Sequence, residues 1–228
     1  MLNKLLKMMK LTNVIHFIFA FYSCSEQVKM NRKPLKLNEI LPVKIKNDLK
    51  SIQSLNPAWI KYYTSKISNF RIDQFVLKGE TKASELINGN IYGDYDKEFN
   101  KNHSQFLINS KDNSQYIDLD SYQMTIEKNN KGELICSGVE IDQEINWVNR
   151  KTKEIKRIFF ASSSTYIDDA IWMNNNKVAL LGVTENKLFI EIIDLETLRY
   201  KTYIYPTIIS KSFNFSSEVR LKKVKIGE

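Results

Sequence analysis

Short strand-like runs recur through the second half of this chain at a fixed spacing, and that recurrence limits the fold more than any other feature. Ile145, Trp147, Val148 and Thr152 stand where Ile190, Ile192, Ile193 and Thr197 return, an offset of 45 residues. Each of these runs ends in a polar turn and is followed by another, residues 155–160 in the first copy and 200–205 in the second. Upstream, residues 106–108 and then 116–119 answer 170–172 and then 178–181, with a longer hairpin around 124–135 in the first copy only. Turn residues at Asn88-Gly89, 111–113, 129–132, 174–176 and Glu185-Asn186 punctuate the runs. Apolar alternation bounded by Asn, Asp and Gly is the signature of strands joined by tight turns. It predicts antiparallel strands almost throughout residues 79–210.

Each copy is four short strands in succession, which resembles the blade of a β-propeller of the WD40 or protein-translocation type. The resemblance covers about 100 residues and lacks the Trp-Asp and Gly-His signatures. Two blades do not close a ring, since propellers typically use at least about four, so two meanders packed face to face satisfy the same pattern. The expected class is therefore mainly β, with antiparallel four-stranded meanders, propeller-blade-like or sandwich-like, after a short helical N-terminal region. Ile45, Leu49 and Ile52 are spaced for one helix over 44–54. Asn56 as cap with Pro57 in the first turn predicts a second, running through Trp59 and Ile60 to Tyr63.

The first 24 residues have the order of a secretory signal: Lys4, Lys7 and Lys10, an apolar stretch over 11–22, then the small Ser23 before Cys24. The run Phe21, Tyr22, Ser23, Cys24 resembles the bacterial lipoprotein export motif, with Phe21 where Leu is typical and Tyr22 where a smaller residue is expected. The resemblance implies cleavage before Cys24, a diacylglycerol on its thiol and acylation of the new amino terminus. It also implies a cell-envelope location, attached to a membrane through the N-terminal lipid and facing the periplasm or cell exterior. An uncleaved membrane anchor would need roughly 20 apolar residues, and this stretch carries Thr12, Asn13 and His16. An ordinary signal peptide with an incidental cysteine stays open. The expected organisation is a signal over 1–23, a tether over 24–40, a β domain with N-terminal helices over 41–210 and a basic tail over 211–228.

The formal net charge of +8 is unevenly spread. Residues 1–24 carry +3, 28–50 carry +5 and 211–228 carry +3, whereas 51–210 carry −2. A nearly neutral domain argues against the phosphate-neutralising stripe of a nucleic-acid binder. Basic ends beside a lipid anchor suit an anionic membrane surface, and a solvated tether and tail fit them equally. After cleavage Cys136 is the only cysteine, so no internal disulfide framework is expected. Its strand-like setting reads as a small buried core residue.

Clustered acidic residues are the only polar groups that suggest chemistry. Asp118 and Asp120 share a strand face, as do Asp142 and Glu144, and such pairs could bind a cation or flank a glycosidic bond. For the second pair, alternation of Val139, Ile141, Ile145 and Trp147 as the inward face leaves Glu140, Asp142, Glu144 and Asn146 solvated. Asp118 and Asp120 fall on the face of Tyr116, Tyr122 and Met124, which predicts either a bulge near Ser121 or an acidic and aromatic patch at the core's edge. With Asp168 and Asp169 at the start of the second copy, the candidate ligand-binding set is Asp118, Asp120, Tyr122, Asp168, Asp169 and Trp172, suited to a sugar, a peptide or a cation. His103, flanked by Asn102 and Ser104, reads as solvent-exposed rather than catalytic.

A Gly-rich phosphate loop, Ser-x-x-Lys, Gly-x-Ser-x-Gly and His-Glu-x-x-His are all absent. No catalytic residue, metal or cofactor is therefore assigned. The leading expectation is a lipid-anchored envelope protein whose β domain binds an envelope protein or glycan without catalysis. A carboxylate-dependent glycan hydrolase using Asp118 or Asp120 with Asp168 or Asp169 is one alternative, and a purely structural lipoprotein is the other.

Overall fold

The computed structural model of the protein describes residues 32–34, 42–89, 102–209 and 213–226. The export signal with Cys24 lies outside them, as does most of the expected tether. Two helices lead the domain, α1 (Pro42–Leu55) and α2 (Pro57–Lys66). The sequence chemistry that predicts α2 is what starts it. Pro57 occupies the first turn, and the Asn56 side chain accepts a hydrogen bond of 3.0 Å from the Trp59 backbone N–H, satisfying an otherwise orphaned donor. Among the described residues no helix is long and apolar enough to cross a membrane.

The strands follow in chain order as β1 (Arg32–Pro34), β2 (Val76–Ala83), β3 (Ile87–Asn88), β4 (Ile108–Asn109), β5 (Gln115–Asp118), β6 (Met124–Lys128) and β7 (Leu134–Val139), then β8 (Gln143–Asn149), β9 (Glu154–Ala161), β10 (Thr165–Asn174), β11 (Lys177–Thr184), β12 (Lys187–Asp194), β13 (Arg199–Ile208) and β14 (Val224–Ile226). The internal repeat becomes two antiparallel four-stranded meanders, β4-β5-β8-β9 and β10-β11-β12-β13. Both are extended on the same side: β3 pairs with β9 in one, and β2 with β13 in the other. The extra hairpin of the first copy, β6-β7, forms a separate small sheet with β14, which pairs parallel to β7. Pro34 sits in the edge strand β1, where a missing N–H is tolerated.

Turn chemistry closes the hairpins where the sequence places it. Glu185 and Asn186 both adopt positive φ, +48° and +59°, in the two-residue turn between β11 and β12, the conformation whose twist matches that of the flanking strands.

The six-stranded sheet is buried on both faces at its centre. Ala179, Leu181, Leu188, Ile190 and Ile192 face α1 and α2, where Leu49, Ile52, Trp59 and Tyr63 meet them. On the opposite face Phe189 of β12 stacks on Phe159 of β9, with ring centroids 6.0 Å apart. The architecture is thus a sandwich-like pair of meanders with helices over one of them, and no closed barrel forms among the described residues.

The reading of β8 is corrected. Val139 and Ile141, expected inward, are 60% and 79% exposed, while Glu144 and Asn146, expected in solvent, are 1% and 0% exposed. Trp147 is only partly buried and donates from Nε1 to Gln115 at 2.6 Å. The alternating pattern runs across the turn at 140–142 that separates β7 from β8, so its phase does not carry over. Both faces of β8 are also covered, and alternation stops reporting burial there.

Candidate functional site

The acidic residues singled out in the sequence meet at β10, through a local irregularity. Ile167 pairs with Gly182 and Asp169 with Leu181, so Asp168 is an extra residue, a β-bulge. In a regular strand Asp168 and Asp169 would point to opposite faces. The bulge resets the alternation and turns both toward α2. Asp168 Oδ2 accepts from the Trp59 indole at 3.0 Å and from the Tyr63 hydroxyl at 2.6 Å. Asp169 accepts from the Asn56 side chain at 2.8 Å. Asn56 therefore caps the helix with its oxygen and ties it to the sheet with its nitrogen. A Cβ at Gly182 would collide with the Tyr166 carbonyl, so the close approach of β11 to the bulged strand requires glycine there.

Asp168 is fully buried, and its second oxygen, Oδ1, has no hydrogen-bond partner. Burial raises its pKa to about 7, against the lowering effect of the bonds from Tyr63 and Trp59. Burial also raises Asp169, although Asn56 and Arg220 act in the opposite sense.

The segment from residue 213 onward, assigned to a basic tail in the sequence, completes this cluster. Phe213, Phe215 and Leu221 are buried, and a single π-helical turn over Ser216–Arg220 brings Arg220 inward. Its guanidinium grips Asp120 through two bonds, 2.5 Å to Oδ2 and 2.7 Å to Oδ1. Its Nε donates to the Asp168 carbonyl at 3.0 Å, as does the Ser216 hydroxyl. One cation thus joins the turn after β5 to the bulge of β10. Among the basic residues after position 210, this one arginine is flanked by the apolar Val219 and Leu221. Lys225 is flanked by Val224 and Ile226 in the same way, so only its being an arginine, the residue suited to a bidentate carboxylate pair, marks Arg220 out.

Asp118 has a local task. β5 ends at this residue, and its carboxylate accepts from the backbone N–H groups of Asp120 and Ser121 at 3.0 and 3.1 Å and from the Ser121 hydroxyl. The chain turns here, so no bulge forms near Ser121 and Asp118 and Asp120 do not share one strand face. Gln143, unremarked in the sequence, bridges the two meanders by accepting from Ile167 N–H at 2.7 Å and donating to the carbonyls of Leu119 and Ile167. His103 is corrected from exposed to buried, and burial lowers its pKa despite the nearby charges of Asp118 and Asp120. Cys136 is a buried free thiol.

Tyr122 and Trp172 stand apart from the network. Tyr122 sets its ring edge-on to Phe160 at 6.2 Å and lines a small cleft with His103 and Ser121. Trp172 lies past the bulge on the face of β10 away from the helices and donates from Nε1 to the Ile108 carbonyl at 2.8 Å. It walls an open groove of about 940 Å³ at the end of β10, where the two meanders meet the last residue of α1, lined by Leu55, by Asn109 and Lys111 from one meander and by Asn175 and Glu196 from the other. The six candidate residues therefore divide. Asp120, Asp168 and Asp169 belong to one ionic cluster, Asp118 shapes the turn beside it, and Tyr122 and Trp172 face different cavities. Among the described residues no three His, Cys, Asp or Glu side chains are grouped to hold a metal ion.

No family model, curated protein or solved structure matches the chain. Its function must therefore be argued from its own residues.

Proposed function

We propose that the chain is a lipid-anchored cell-envelope protein, attached to a membrane through Cys24, whose β-rich domain binds an envelope ligand or partner without converting it. The observation that carries the binding half is how the acidic groups are used. Asp118, Asp120, Asp168 and Asp169 each accept hydrogen bonds from neighbouring protein donors that hold a turn, a helix or the C-terminal segment in place. A glycosidase needs one carboxyl free to protonate the leaving oxygen and another free to attack or to activate water. Asp118, Asp120 and Asp168 are at most 2% exposed, so a glycan does not reach the carboxyl pair it would need, whereas the groove beside Trp172 is open and has the size usual for a ligand site. The anchoring half rests on the order of residues 1–24 and on the basic residues that follow them.

Two measurements test this reading. Labelling with a clickable fatty acid should mark the protein and should fail for Cys24→Ala; label retained in the variant overturns the anchor. Crosslinking in intact envelopes followed by purification should recover a defined protein or glycan with the native chain. Glycan cleavage by the purified chain that disappears on Asp168→Asn would overturn the binding reading in favour of a hydrolase.

A further inference from the structure

We propose that the groove between the two meanders is a saccharide site, recognising a neutral glycan chain through the Trp172 ring and the amide and carboxylate groups at its rim. The inference rests on the reading of the domain as a binding module and names the class of ligand. Sugars have apolar C–H faces and hydroxyl edges, so a site for them needs a fixed aromatic surface and short polar side chains around it. Trp172 is only partly buried, and its bond to the Ile108 carbonyl sets the plane of the ring. Ala170, Ile171 and Met173 contribute apolar lining next to it.

The rim is polar and pre-positioned. Asn174 accepts from the Asn176 backbone at 2.9 Å, and the Asn176 side chain donates to Glu196 Oε2 at 3.1 Å. Glu196 is thereby held through one oxygen with the other available to accept a hydroxyl, and the exposed Asn175 offers both a donor and an acceptor. Lys111 and Lys177 balance Asp194 and Glu196 around the opening, which favours an uncharged ligand over an ionic one. Burial raises the Asp194 carboxyl, but its bonds from Thr197 lower it on balance. It therefore serves as an acceptor and not as an acid.

Several backbone carbonyls at the groove are already taken. An extended peptide binds by adding to free strand hydrogen bonds. Here the Ile108 carbonyl is taken by Trp172, the Asn175 carbonyl by the Gln115 side chain at 3.2 Å and the Asn176 carbonyl by the Leu195 N–H at 2.8 Å. These carbonyls are closed to a peptide, but β10 and β4 are the edge strands of their sheets, so the peptide arm of the NMR experiment decides between the two ligands.

Fluorine NMR of the full-length chain, labelled with fluorotryptophan and held in detergent, reads the site directly. Three signals are expected, from Trp59, Trp147 and Trp172, with Trp172→Phe identifying its own. Maltohexaose or chitohexaose should move the Trp172 signal and leave that of the buried Trp59 unchanged. Asn175→Ala and Glu196→Gln, both at the rim, should weaken the response about three- to tenfold, the loss expected for one hydrogen bond each, with the Trp59 signal reporting an intact fold. No movement with either hexaose overturns the proposal. Movement only with an acidic oligosaccharide or an extended peptide also overturns the neutral-glycan assignment, while leaving the binding reading to the crosslinking result.

Discussion

On the helix side of β10 every carboxylate is engaged: Asp168 by Trp59 and Tyr63, Asp169 by Asn56, and the neighbouring Asp120 by Arg220. On the opposite face, past the bulge, Trp172 fixes its indole N–H to Ile108 and leaves its ring beside an open groove with a mixed polar rim. One strand thus carries a closed polar joint on one side and an open polar surface on the other. The contrast teaches that clustered acidic residues are weak evidence for a site. Buried charges must find partners inside the protein, and once they have them they hold elements together instead of meeting a ligand.

The largest effect expected from breaking the joint is at Arg220. Arg220→Ala leaves Asp120, 2% exposed, as a buried carboxylate without its cation. Removing one partner of a buried pair typically costs about 3–5 kcal/mol, and urea titration should show it. The double variant Arg220→Met with Asp120→Leu should recover much of that loss, because the cost lies in the orphaned charge. A near-neutral Arg220→Ala would mean that the C-terminal segment does not close the domain.

A smaller loss is expected at the helix end of the joint. Trp59→Phe keeps a ring in the core but removes a donor to Asp168, which should cost about 1–3 kcal/mol and push the Asp168 pKa further up, since that bond lowers it. NMR titration of the Asp168 carboxyl and urea denaturation report the two effects separately. An unchanged carboxyl pKa in the variant would show that the indole bond is not made.

The smallest effects sharpen the contrast by testing polar residues that belong to neither side. Asn146 is fully buried with both side-chain polar atoms unpartnered, so Asn146→Leu should be neutral or stabilising by about 1 kcal/mol, a similar volume without the unmet polar groups. Asp142→Ala, half-buried in the bend before β8, should fall within about 0.5 kcal/mol of neutral. A strongly destabilising Asn146→Leu would place that amide in a polar network of its own.

The start of α2 was readable because capping is local: Asn56 and Pro57 act on residues within one turn. The two meanders were readable for the same reason, as turn residues and short apolar runs repeat in both copies. Asp168 and Asp169 stood out as adjacent acids at the head of a strand, but their role depends on a bulge set by pairing with Gly182 and Leu181, which no local pattern announces. Arg220 was hidden among lysines, and its partner Asp120 lies 100 residues earlier. The phase of β8 does not follow the apolar alternation because Val139 ends the preceding strand and Ile141 lies within the turn from which β8 starts.

The central claim, that Asp168 is a buried structural joint, is tested most directly by the pH dependence of stability in the native chain and in Asp168→Asn. Its folded pKa, about 7, lies above the ordinary value of about 3.9, so the folded state holds the extra proton between these values. The contribution of Asp168 should therefore make the native chain more stable as pH falls from 8 through 7 toward 4, by at most about 1.4 kcal/mol per pH unit. Asp118 and Asp169, also raised, act in the same direction, and His103, lowered by burial, acts against them. Comparison with Asp168→Asn isolates the one group. The account predicts that the difference in unfolding free energy between native and variant changes steadily across this window in favour of the native chain at lower pH. A difference that stays constant from pH 8 to 4 would contradict it.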